Sequence, residues 1–439
     1  MLIFFIGISK VKLFKVASLT GISYLSKLLA VLFIIKQISI INGPEGLGVV
    51  GNFLTLVSLA STLGGGGALS GIIKYLSEYS GVSKRQESFV GSSFLYTLIF
   101  SLLTLMFGLF FVRQLTSIVF SNQSYSVFIY CFLVAQIIVS INNFSYGMVN
   151  GLKKNRAYAF FLVGGNIIAI IFSYFAIKYF GLWGVILAIM APAVFPFIPV
   201  SYYMIKKGIF KKMRFDSFFS DSRLLAKFTL MRFGSAICFP IVEIFVMNQI
   251  KDSLGLTTAG FWQAISKLSV AYLSFYSLFL TFYFLPLISS IVDKSKIVME
   301  VNRVMLIIGA SFVLMIVLYF IFNSFIIRII LSKEFLPINH LILLEMIGDF
   351  FRVLGWVIGF VVISRASIKI YLFGEFFQGS LFALLSYFSL ERFHNLRGVI
   401  LSYDITCLLY FLVSAVLFYL FYVKKDTGFL NSKINLEDT

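Results

Sequence analysis

The chain has 439 residues, 60% of them hydrophobic and only 12% charged, yet 36 lysines and arginines outweigh 18 acidic residues to give a net charge of +18. A soluble domain is about half apolar and a quarter charged, so this composition, with a mean hydropathy of +0.98, excludes one and describes a polytopic membrane protein. The positive charge does not point to nucleic acid, because no charged face is long enough to form a binding surface.

The chain opens with an apolar stretch, Met1 to Ser9, followed by Lys10, Lys12 and Lys15. A signal peptide has the reverse order, so the first true span is expected to serve as its own targeting element. Helices are predicted near 16–41, 47–76, 88–112, 124–150, 156–180, 181–205, 224–250, 256–291, 301–328, 338–364, 367–391 and 397–423. The fold class is therefore all-α, with about 12 transmembrane helices. The fifth and sixth helices are divided at Gly181-Leu182-Trp183-Gly184. Inside the second, Gly64-Gly65-Gly66-Gly67 either lets another backbone approach closely or acts as a hinge. Pro192, Pro196 and Pro199 crowd the sixth helix, and Pro240 and Pro286 interrupt the seventh and eighth. Kinks at these prolines suit moving helices, although static kinks are ordinary in membrane bundles.

The connections sort by charge. One alternating set carries 24 cations, among them Lys74, Lys84, Arg85, Lys153, Lys154, Arg156 and the basic run from Lys206 to Lys227; the other carries 7. This asymmetry places the richer set and both termini in the cytoplasm. The longest connection, 206–223, reads as a basic linker between a six-helix lobe over 1–205 and another over 224–423, with a cytoplasmic tail over 424–439. A faint internal echo supports two halves: Leu47-Gly48-Val49-Val50-Gly51-Asn52-Phe53 opens the second helix and Leu256-Thr257-Thr258-Ala259-Gly260-Phe261-Trp262 the eighth.

Five cations fall inside the spans: Lys27, Lys36, Arg232, Lys267 and Arg352. A charge there is costly and marks function by default, here a wet, positive cavity for an anionic substrate. Lys27 lies about 16 Å into the first helix, close to the bilayer centre, whereas Lys36 is nearer the outer end, where it can snorkel. Arg232 and Glu243 share a helix face but stand about 16 Å apart along it, too far to pair directly. Glu345, Asp349 and Arg352 follow i, i+4, i+7 and line one stripe of the tenth helix, where Asp349 and Arg352 can pair locally. Glu375 and Gln378 form a smaller stripe, and Asp404 is isolated in the twelfth helix. The carboxylates Asp349, Glu345, Glu375, Glu243 and Asp404 suit proton or sodium coupling, because a buried carboxyl can cycle its proton as access alternates. Cys131, Cys238 and Cys407 sit in apolar segments as buried thiols at no metal-like spacing, and His340 and His394 are far apart, so neither metal nor cofactor is expected.

Several runs resemble the Wzx-type lipid-linked oligosaccharide flippases, especially those of O-antigen and enterobacterial common antigen, within the wider multidrug/oligosaccharidyl-lipid/polysaccharide exporter group. They are Gly43-Pro44-Glu45-Gly46-Leu47-Gly48, Lys74-Tyr75-Leu76 with Glu78-Tyr79, Lys227-Phe228-Thr229-Leu230-Met231, Phe284-Leu285-Pro286, Gly348-Asp349 with Arg352, and Glu375 with Gln378. The resemblance runs from the first helix to the eleventh. It implies a V-shaped bundle of two lobes around a central cationic cavity in the bacterial inner membrane. The implied activity moves undecaprenyl-pyrophosphate-linked repeat units to the periplasmic leaflet, alongside a polymerase and a chain-length regulator of the pathway. Lys27, Lys36, Lys74, Asp349, Arg352 and Glu375 match charged positions of the family, while Arg232 and Lys267 do not and would tune sugar recognition.

Two other readings are weaker. A polytopic polysaccharide polymerase would carry a large periplasmic loop with catalytic charges, and the outer connections here are short, which points away from an enzyme. A multidrug/cation antiporter of the same group typically needs acidic cavity residues, and the N-terminal half has Lys27 and no deep carboxylate.

Overall fold

A computed structural model describes residues 10–291, 293–365 and 368–422. The Met1–Ser9 stretch and the tail at 424–439 lie outside them. Apolar runs in a membrane must satisfy every backbone polar group internally, and the described residues do so as helices. In chain order these are α1 (Lys10–Ile41), α2 (Gly43–Leu63), α3 (Leu69–Glu78), α4 (Ser83–Phe110), α5 (Val112–Phe120), α6 (Ser126–Gly151), α7 (Asn155–Val194) and α8 (Phe197–Lys206). There follow α9 (Ile209–Lys212), α10 (Phe218–Leu254), α11 (Leu256–Phe279), α12 (Leu285–Ser290), α13 (Lys294–Ile330), α14 (Asn339–Ser364), α15 (Ile368–Phe393) and α16 (Leu396–Tyr422).

Nine helical stretches among the described residues are long and apolar enough to cross a membrane. One of them, Asn155–Lys206, has 52 residues, enough for the two expected crossings, and α7 is broken inside it at Gly181 (φ 53°, ψ −130°). α10 and α15 occupy the remaining two expected spans. The twelve-span, all-helical protein read from the sequence stands.

The breaks have local causes. Gly65, Gly66 and Gly67 all adopt positive φ (70°, 77° and 64°), a conformation that other residues enter at a cost of about 1–2 kcal/mol. The tetraglycine thus ends α2 and splits the expected second helix from α3. Asn143 donates to the stranded carbonyls of Ser61 (3.0 Å) and Gly64 (3.3 Å). The same turn is tightly packed: a Cβ on Gly66 would lie 2.9 Å from the Phe100 ring, and one on Gly67 2.9 Å from Arg232. Pro196 separates α7 from α8, and Asn142 donates to the carbonyls of Ala193 (2.8 Å) and Val194 (3.4 Å) beside it. A π-helical segment, Leu280–Phe284, joins α11 to α12 just before Pro286.

The chain gathers into two compact units. The first holds residues up to Ala264 together with Arg328–Phe335. In it α1 packs on α7, α4 and α3 on α6, and α10 on α2 and α4. The echoed runs meet here: a Cβ on Gly48 would sit 2.0 Å from the Leu256 carbonyl oxygen, and one on Gly260 1.7 Å from that of Pro44. The α2 and α11 backbones therefore cross in direct contact, which only glycine allows. Asn52 spans the neighbouring groove to Asn248 (2.6 Å) and to the Ile118 carbonyl (2.9 Å). Fully buried Asp221 at the start of α10 pairs with Arg85 of α4, both guanidinium Nη atoms reaching its carboxylate at 2.5 and 3.1 Å. The second unit holds Ile265–Ile327 and the described residues from Leu336 onward; there α16 packs on α14 and α15.

Candidate functional site

Within the second unit α14 carries Glu345, Asp349 and Arg352 on one stripe, as their spacing requires. Asp349 is fully buried and Glu345 nearly so. Three hydroxyls from two other helices converge on the Asp349 carboxylate. Ser269 of α11 donates to Oδ2 at 2.5 Å, Tyr272 one turn on donates to the same oxygen, and Tyr403 of α16 donates to Oδ1 at 2.5 Å. A buried carboxylate is tolerated only where donors replace its water, and these three do so.

Arg352 reaches the same group through Tyr403: its Nη1 donates to the tyrosine oxygen at 2.9 Å while that hydroxyl donates onward to Asp349. The expected Asp349–Arg352 partnership thus includes a bridge through another helix. The guanidinium also lies over the rings of Trp356 (5.3 Å) and Tyr403 (5.8 Å), where ring faces attract a cation. Asp404, next to Tyr403, is drawn in against Gly348, where a Cβ would stand 2.3 Å from its Oδ1. That oxygen is buried with no hydrogen-bond partner among the described residues. Gln378 of α15 extends the polar line by donating to the Cys407 sulfur at 3.7 Å.

The structure therefore brings together Asp349, Arg352 and Asp404, with Glu345 one turn away. Glu345 acts electrostatically on Tyr272 and Tyr403, and Glu375, half-buried on α15, acts on Tyr410. Lys267 is half-buried on α11 of the same unit. The remaining sequence candidates lie in the first unit. Lys27 is exposed on α1, one residue from Ser26, which accepts from Asn166 of α7 at 3.0 Å. Lys36 donates to the carbonyls of Arg328 and Leu331, so it binds the C-terminal end of α13, where a cation complements the helix dipole. Lys74 is exposed, 3.7 Å from Glu78 and over the rings of Tyr75 (5.0 Å) and Phe228 (5.9 Å). Arg232 is exposed beside Gly67, and Glu243 is half-buried on α10. Among the described residues no group of His, Cys, Asp and Glu has a metal-binding arrangement. None of the three cysteines is in a disulfide; Cys238 and Cys407 are buried as expected, but Cys131 is exposed because it lies on an outward face of α6.

Sequence reasoning missed Ser269, Tyr272 and Tyr403. The available signals were the i, i+3 spacing of Ser269 and Tyr272 just after Lys267 and the adjacency of Tyr403 to Asp404. Neither is specific by itself, because hydroxyl residues are frequent on packed membrane helices. The Arg85–Asp221 pair was missed because Arg85 sits among loop cations.

The helical bundle is shared by solved transporters of the multidrug/oligosaccharidyl-lipid/polysaccharide exporter group, to which this chain is similar in fold. An inward-facing multidrug resistance transporter of the MATE family superposes with a TM-score of 0.72 at 15% identity, over 94% of this chain and 96% of the other. The lipid II flippase MurJ, in an inward closed conformation, gives 0.65 at 16% identity over 96% of each. The chain belongs to the polysaccharide biosynthesis protein family, whose model matches residues 13–292. The resemblance read from the sequence is borne out by that match. A curated relative, the lipid III flippase of Escherichia coli (strain K12), is 26% identical over 406 residues, spanning 90% of this chain and 96% of the relative.

Proposed function

We propose that the protein is an inner-membrane flippase that carries an undecaprenyl-pyrophosphate-linked oligosaccharide, the repeat unit of an O-antigen, from the cytoplasmic to the periplasmic leaflet. The observation that carries this reading is the near full-length similarity to a lipid III flippase. The physics supports it: a sugar and its diphosphate can cross lipid only beside polar and cationic groups while the polyprenyl tail stays in hydrocarbon. On this reading two six-helix lobes joined by 206–223 alternate access, and no covalent chemistry is required. Lys27, Lys74 and Arg232, which are exposed, contact diphosphate or sugar. Lys36, Lys267 and Arg352 contribute charge to the path.

The Asp349 cluster is the proposed ion-coupling site, with Glu345, Glu375, Glu243 and Asp404 as further carboxylates. Asp404 packs against Gly348, the residue before Asp349, and two buried carboxylates within electrostatic reach of each other cannot both keep their charge cheaply, so one exchanges a cation or proton as the bundle moves. The 24-to-7 cation bias puts both termini in the cytoplasm, and a polymerase and chain-length regulator of the same pathway are the expected partners.

The test is complementation. Expressed in a strain that lacks its own O-antigen flippase, the protein should restore surface polysaccharide and relieve accumulation of the lipid-linked unit on the cytoplasmic side. Continued accumulation, with resistance to cationic dyes gained instead, would identify a multidrug antiporter and sink the reading.

A further inference from the structure

We propose that the turn between α6 and α7 is a binding site for a phosphate-bearing anion, with the headgroup of an anionic phospholipid as its occupant. A recess of about 450 Å³ opens there, lined by Lys153, Lys154, Asn155, Arg156, Ala157 and Tyr203. Three of its six lining residues are cations, and among the described residues no carboxylate pairs with any of them. Lys207 adds a fourth positive charge within electrostatic reach of Tyr203.

Loop anchoring accounts for cations near a span but does not require them to surround one cavity. A basic recess between helix ends at the cytoplasmic surface is the geometry that receives lipid headgroups. The flanking helices supply the apolar half of such a site. Beside the recess α7 exposes Phe160 and α8 exposes Tyr202 and Ile205, the two rings 6.4 Å apart, a surface on which acyl chains can lie. A free phosphate would have no use for that surface, which is why lipid is the assigned occupant.

Lys153 also has a special backbone conformation. It ends α6 at a left-handed φ of 57°, while Lys153 N–H donates to the Asn150 carbonyl (2.9 Å) and Lys154 N–H to that of Val149 (2.7 Å). This is the helix-ending motif in which glycine is the favoured residue. A lysine there accepts backbone strain that a glycine would relieve.

That detail yields a test in which binding and folding move apart. The purified, delipidated full chain is titrated with phosphatidylglycerol or phosphatidylcholine in detergent, with bound lipid counted by native mass spectrometry and thermal stability read in parallel. Phosphatidylglycerol should bind in preference. Lys153→Gly, Lys154→Gln and Arg156→Gln should each weaken it about 5-fold, and the triple variant on the order of 100-fold, since a juxtamembrane cation contributes about 1 kcal/mol. Without lipid, Lys153→Gly should melt no lower than the parent, because its backbone conformation suits glycine. Undiminished phosphatidylglycerol binding by the triple variant, or equal binding of phosphatidylcholine, overturns the site. Full stabilisation by inorganic phosphate alone overturns the lipid as its occupant.

Discussion

At Asp349 three hydroxyls replace the water that a carboxylate loses on burial, and Tyr403 works twice, donating to Asp349 and accepting from Arg352. Removing that one oxygen leaves a carboxylate and a guanidinium short of a partner at once. Tyr403→Phe is therefore expected to destabilise the protein by about 2 kcal/mol, the cost of losing a buried hydrogen bond to a charged group, read as a lower melting temperature in detergent. Asp349→Asn keeps the shape and deletes the charge. It should leave insertion and yield intact while abolishing ion-dependent transport; export at the parental rate would remove Asp349 from the coupling site. Gly348 matters for a different reason, since it is the space into which the Asp404 carboxylate fits.

Elements are held by contacts between positions far apart in the chain. The α2–α11 crossing depends on Gly48 and Gly260, each pressed against a backbone carbonyl of the other helix. Gly260→Val has no room at 1.7 Å from the Pro44 oxygen, so the helices must separate, and folded protein recovered from membranes should fall sharply. The Arg85–Asp221 pair fastens the start of α4 to the start of α10, with Asp221 wholly buried. Arg85→Ala strands that carboxylate and should cost about 3 kcal/mol, whereas the Arg85→Ala, Asp221→Ala double variant should recover part of the loss. Of the two roles that its sequence left open for the tetraglycine, the structure shows close packing: Asn143, Thr97 and Phe100 surround a left-handed turn that ends α2.

For the whole molecule, the cations divide by task once their surroundings are seen. Lys36 fastens α1 to the end of α13, and Arg352 belongs to the Asp349 network. Lys27 is exposed on α1 and is one of the substrate contacts proposed above. Lys27→Ala should reduce surface polysaccharide several-fold in the complemented strain with membrane levels unchanged, while Lys27→Arg should retain most of it, because a cation is what a diphosphate needs. Wild-type export by Lys27→Ala would remove this residue from the path.

The sequence by itself determined the class, the number of spans, the helix break at Gly181 and the stripe of Glu345, Asp349 and Arg352, because run length and helical period are local properties of the chain. It marked the two glycine-bearing runs as related without showing that they touch. Only the tertiary structure decided what each polar group meets. Asp349 finds Ser269 80 residues away and Tyr403 54 away, and Lys36 finds the Arg328 carbonyl 292 residues on. Those meetings are set by how apolar helix faces pack, and many faces here are apolar nearly all round. A one-dimensional pattern of hydrophobic residues says that a helix is buried in a bilayer; it does not say which neighbour its few polar atoms will turn towards.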